Sequence, residues 1–112
     1  MTVSVKVLDS ALDDIEQLYA YLHERWGEDA ARDAYVDLMD KLALLEAQPH
    51  MGSVVQELVQ AGHANYRMLV HKKQTKVLYQ LDEQNEVIYV HMVFSSKQDF
   101  QTLLYNRIMR FK

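Results

Sequence analysis

The chain contains no cysteine. That removes a disulfide framework, a thiolate metal site and a cysteine nucleophile together, and makes the cytosol the expected location. Proline occurs once and glycine three times in 112 residues, too little for a fibrous or disordered chain. No apolar run approaches the roughly eighteen residues of a membrane span, so no membrane contact is expected. The start, Met1-Thr2-Val3-Ser4-Val5-Lys6, lacks the charged-then-apolar pattern of an export signal. The phosphate-binding glycine loop, the dinucleotide fingerprint, the zinc-protease helix motif and the nucleophile elbow are all missing from the sequence. What is there, 49% apolar and 25% charged residues, is ordinary globular composition for a single domain, residues 1–112.

The formal net charge of −4 opposes direct DNA binding by this chain alone, because phosphate contacts carry most of such affinity. The average hides a split. Up to residue 48, four cations (Lys6, Arg25, Arg32, Lys41) meet eleven carboxylates, a net of −7. From residue 49 on, eight cations meet five carboxylates, a net of +3. Such charges are either solvated faces or, in the second half, a surface for an anionic partner.

Val3, Val5 and Val7 alternate with polar neighbours as in a strand with one buried face. Ser10 followed by Asp13 then reads as a capping box, and Ala11, Ile15, Leu18, Leu22 and Trp26 recur at helical spacing up to Gly27. A second helix opens on Glu28 and Asp29, aligns Ala31, Tyr35, Leu38, Leu42 and Leu45, and stops at Pro49. Residues 49–64 read as a loop with a short turn around Val54 to Leu58. Strands are expected over residues 65–71, 76–82 and 86–94, and a short C-terminal helix or loosely held tail over 97–110. The order β-α-α-β-β-β-(α) implies an α+β fold, with an N-terminal strand and a two-helix hairpin packed on one face of a small antiparallel sheet.

The five histidines show no metal-ligand spacing, so no metal or cofactor is expected. His71 and His91 fall on strands and could approach each other. The seven tyrosines are read as sheet packing or as base-stacking groups. On the strand 65–71, alternation puts Arg67, Leu69 and His71 on one face. A guanidinium there either anchors a carboxylate, such as Asp99, or offers a fork to a phosphate or a partner. Lys72, Lys73 and Lys76 cluster at the next turn and Lys97 follows the last strand, so a basic rim is expected around that sheet face.

Five segments carry a resemblance: the helix start Ala11-Leu12-Asp13-Asp14-Ile15, Pro49-His50-Met51-Gly52, Tyr66-Arg67-Met68-Leu69, the stretch Lys76 to Asp82, and Val87 to Phe94 leading into Lys97-Gln98-Asp99. In this order the chain resembles the RelE/ParE toxin superfamily of type II toxin–antitoxin systems, leaning to the ParE branch. The resemblance implies the toxin half of such a pair. In the ParE reading it inhibits DNA gyrase, with Arg67, Lys72, Lys73, Lys76 and Lys97 as target-binding residues. In the RelE reading it cleaves messenger RNA on the ribosome, with Arg67, Lys76 and Lys97 as the catalytic cations. Leu69 stands where RelE-like members often carry a second lysine, Lys97 where arginine is expected, and Phe100 or Thr102 where they have tyrosine. That pattern and the acidic charge weigh toward gyrase; a non-toxic interaction module is the third reading. Either branch implies a cognate antitoxin, expected on Val54, Val55, Leu58, Val59, Ile108, Met109 and Phe111, with core packing as the alternative role of those residues.

Overall fold

Two long helices lie on one face of a five-stranded sheet, and two short ones lie on the other. The structure is a computed structural model that describes residues 2–109. Its elements are β1 (Ser4–Val7), α1 (Asp9–Trp26), α2 (Glu28–Leu44), β2 (Ser53–Val54), α3 (Gln56–Gln60), β3 (Tyr66–His71), β4 (Thr75–Asp82), β5 (Val87–Ser95) and α4 (Phe100–Leu104). A π-helical turn, Tyr105–Met109, follows. The α+β class and the hairpin-on-sheet arrangement are as expected.

The sheet order is β1-β5-β4-β3-β2. It is mixed rather than purely antiparallel: β1 runs parallel to β5, pairing Ser4 with Val87 and Val7 with Val90, while the other pairs are antiparallel. A parallel pair needs a long crossover, and the α1–α2 hairpin begins the path that provides it. Gly27, at φ 96°, takes a backbone conformation that a side chain disfavours and joins the two helices with one residue.

The hairpin side of the sheet, the front, buries Ala11, Ile15, Leu38, Leu42 and Leu45 against Leu69, Val77, Tyr79, Ile88 and Val90. The back buries Val55 and Leu58 from the α3 region and Leu104 from α4 against Tyr66, Leu78, Met92 and Phe94. The front follows the helical stripes of the sequence, with two exceptions. Tyr35 is 43% exposed, and Trp26, one turn beyond Leu22 at the end of α1, is 66% exposed.

One residue links the two faces. Leu78 pairs with Met92 and Tyr79 with Val90, leaving His91 as the extra residue of a β-bulge. The bulge would leave backbone groups without ladder partners, each costly to bury alone. Ser10 Oγ donates to His91 O (3.3 Å), and Arg107 Nη1 donates to the same oxygen (3.1 Å). Val93 N donates to Asp14 Oδ2 (3.0 Å), and Asp14 also pairs with Arg107 at 2.8 Å. The Ser10 capping box is therefore not formed: α1 starts at Asp9 with Leu8 in the cap position and no side-chain cap, because the Ser10 hydroxyl is drawn to the bulge.

Candidate functional site

The two ends of β3 use their cations in opposite ways. At its start, Arg67 pairs across with Tyr79 on the front face. Its Nη1 donates to Gly52 O (2.7 Å) and His50 O (3.3 Å). The fully buried Tyr79 hydroxyl donates to Pro49 O (2.8 Å) and accepts from Gly52 N (2.9 Å). Burial raises the Tyr79 phenol above its ordinary range, against the smaller pull of the Gly52 amide and Arg67. A Cβ on Gly52 would lie 2.8 Å from Met68 O and 2.9 Å from the Tyr79 ring and hydroxyl, so only glycine fits. Arg67 thus meets neither of its expected partners; it holds a loop by its carbonyls. Asp99, the expected partner, caps α4 instead, accepting from Thr102 Oγ1 at 2.8 Å and Gln101 N at 3.1 Å. The Thr102 hydroxyl, then the backbone amides, keep its carboxyl below the usual carboxylate range.

Lys76 pairs with Val70 and Phe94, which places it on the back face, since Phe94 packs there. Arg67 is on the front. The expected set of Arg67, Lys76 and Lys97 therefore does not converge: the sheet separates its first two members. His71 and His91 are also kept apart. His91 sits 5.2 Å from the Tyr66 ring on the back, with Nε2 3.0 Å from Gln80 Oε1. His71 answers to Lys72 and to Lys41 and Asp37 of α2 on the front. Burial first, then the neighbouring Arg107, lowers the His91 pKa; burial first, then Lys72 and Lys41, lowers that of His71.

At the other end of β3 three of the five predicted target-binding residues come together. Lys72 and Lys73 form the β3–β4 turn with φ of 52° and 63°, a left-handed conformation that costs a residue with a side chain about 1 kcal/mol or more. Turn Ser96–Gln98 lies beside it, with Ser96 N donating to Gln74 O at 2.8 Å, and carries Lys97. These residues rim a groove of about 900 Å³ whose opposite wall is α1, from Asp14 through Leu18, Tyr21 and Leu22 to Arg25 and Trp26. Leu38 of α2 and Val93 of β5 also line it, and Leu103 and Arg107 contribute from the C-terminal segment. Five cations and two carboxylates line the groove, a net of +3 in a chain of −4. Both carboxylates are occupied: Asp14 by Arg107, and Asp37 by Lys72, whose hydrogen bond holds the Asp37 carboxyl below the usual range. Arg25 lies over the rings of Tyr21 and Trp26, 5.8 Å from each. Among the described residues, no carboxylate pairs with Lys73 or Lys97.

Sequence reasoning found the lysines and missed the wall across from them. Arg25 and Trp26 had a signal, since a tryptophan beside an arginine at the end of a helix, just before glycine, is poorly placed for a core. Arg107 had none, because its partner Asp14 is 93 residues away. Of the residues expected to meet an antitoxin, Val55 and Leu58 are buried in the back core, whereas Val54 and Val59 are exposed. Phe111 and the side chains of Ile108 and Met109 lie outside the described residues.

The same fold occurs in known toxins. A chain of a chromosomal ParDE toxin–antitoxin system from P. aeruginosa superposes with a TM-score of 0.68 at 16% identity, covering 84% of this chain and 96% of that one. A free-state mutant of the E. coli toxin RelE gives 0.62 at 15% identity over the whole of both chains. A chain of the toxin–antitoxin complex RelBE2 from Mycobacterium tuberculosis gives 0.53 at 18%, covering 85% and 99%. No curated protein matches significantly. At these identities the superpositions establish the fold, RelE/ParE-like, and the sequence establishes the branch. Residues 5–100, which run from β1 to the start of α4, match the family described as the ParE toxin of the type II toxin–antitoxin system parDE, and the chain belongs to that family.

Proposed function

We propose that this toxin acts by binding a protein, DNA gyrase, and that a cognate antitoxin neutralises it. The family match over residues 5–100 carries the reading. The placement of the cations supports it. A ribonuclease of the RelE type needs cations gathered on one scissile phosphate beside a group that moves a proton. Here Arg67 is engaged with loop carbonyls on the front and Lys76 lies on the back. Protein binding asks only for a surface, and Lys72, Lys73 and Lys97 on the groove rim are the residues assigned to the target. The antitoxin's extended portion is assigned to the β2–α3 corner, where Val54 and Val59 are exposed; its known counterparts are named in the ParDE and RelBE2 systems that share this fold.

The test is a supercoiling assay with purified gyrase. Micromolar toxin is expected to inhibit supercoiling and to accumulate cleaved complexes, and a Lys73→Glu/Lys97→Glu variant to do so at least about tenfold less well, as for close interfacial charges. New RNA ends from translating ribosomes, with gyrase untouched, would transfer the assignment to RNA cleavage.

A further inference from the structure

We propose that the groove between α1 and the β3–β4 turn seats an acidic amphipathic helix of the antitoxin, apolar face inward and carboxylates toward Lys73 and Lys97. This rests on the toxin–antitoxin reading and adds to it the place, the conformation and the charge of a second contact.

Charge gives the sign of the partner. The lining is net positive although the chain as a whole is acidic, and the two carboxylates within it are already paired. An anionic ligand therefore meets unpaired cations here while the acidic hairpin repels it elsewhere. Composition gives the class. Leu18, Leu22, Leu38, Val93 and Leu103 make the walls and floor apolar. A sugar–phosphate strand would leave that surface uncovered, whereas a helix with one apolar and one acidic face matches floor and rim together. Trp26 and Tyr21, both exposed, with Arg25 stacked on them, are the residue types that dominate protein interfaces.

Geometry gives the conformation. The α1 wall from Asp14 to Trp26 is about 18 Å long at the helical rise, and a helix of about 10 Å diameter over that length displaces about 1,400 Å³. The groove, at about 900 Å³, takes somewhat more than half of it, which is the share an amphipathic helix buries. An added strand fits poorly. Beyond Val90 the side of β5 that β1 leaves uncovered faces α1, and its amides are taken: Val93 N by Asp14 and Ser95 N by the Gln98 side chain. Because Lys72, Lys73 and Lys97 are also the residues assigned to the target, a helix seated here excludes the target directly.

Trp26 is the only tryptophan in the chain and lines the groove, so its fluorescence reports occupancy. The probe is a synthetic peptide of about 16 residues, long enough to approach helicity, with leucine at i, i+3, i+4 and i+7 and glutamate elsewhere. Against the intact toxin at low salt, saturable blue-shifting of Trp26 emission is expected. A scrambled peptide of equal composition, and a single-stranded oligonucleotide of equal charge, are expected to bind at least tenfold more weakly. Lys73→Glu/Lys97→Glu, which leaves the Lys72–Asp37 pair intact, should weaken peptide binding at least tenfold with circular dichroism unchanged. Tyr21→Asp on the opposite wall should do the same. An unshifted spectrum, equal binding by the charge-reversed variant, or tighter binding of the oligonucleotide would each overturn the proposal. Growth arrest on induced expression is scored separately: its absence removes the toxin reading without touching the titration, and an inert groove in a toxic chain removes only the helix.

Discussion

The two ends of β3 make an instructive pair. Both carry cations that the sequence marks alike, yet one end is a joint and the other a surface. At the Arg67 end every donor has an acceptor within the chain: the guanidinium spans two carbonyls, and the Tyr79 hydroxyl both donates and accepts. At the Lys72–Lys73 end the backbone is held in an unfavourable conformation, and Lys73 reaches no carboxylate among the described residues. A charged residue on a sheet is therefore classified by whether its donors are already used, not by its strand or its neighbours. Strain retained without an internal partner is the signature of a surface kept for something else.

The comparison breaks most visibly at Gly52. Gly52→Ala drives a Cβ into a backbone oxygen and a buried ring and is expected to cost about 3 kcal/mol, the upper range for overpacking; urea denaturation measures it, and a loss below about 1 kcal/mol would mean that the joint is soft. Arg67→Ala comes next. Removing the charged donor from Gly52 O should cost about 2 kcal/mol, with no effect on gyrase inhibition once the protein is folded; lost inhibition in a fully stable variant would make Arg67 a contact residue after all. The smallest effect has the opposite sign. Lys73→Gly relieves a left-handed residue at the expense of a freer unfolded chain, so it should raise stability by roughly 0.5 kcal/mol while weakening the acidic peptide. Unchanged or lowered thermal stability would show that the turn is not strained.

Much of this was legible in the sequence, for definite reasons. The α1 and α2 stripes, Gly27 between them and the turn residues around β4 are local signals, and each produced its element within a residue or two. The cluster of Lys72, Lys73 and Lys97 was legible because turns that follow adjacent strands in a meander end up side by side. The parallel pairing of β1 was hidden, since Val3, Val5 and Val7 alternate identically in either direction. Also hidden were the separation of Arg67 from Lys76, which depends on the turn between them, and the Asp14–Arg107 pair, whose partners meet only when the C-terminal segment docks beside α1. Trp26 went to the wrong side because helical spacing continues past the end of the sheet that the helix covers.

His91 bears on how sequences of this kind are compared. Ile88, Val90, Met92 and Phe94 occupy even positions and read as one hydrophobic face, yet the first two serve the front core and the last two the back. The extra residue is a phase change written into a uniform alternation. A relative whose last strand runs without the bulge must carry its apolar residues at the opposite parity beyond Val90. An alignment that places its gap anywhere else would pair inward-facing positions with outward-facing ones and make two identical folds look unrelated.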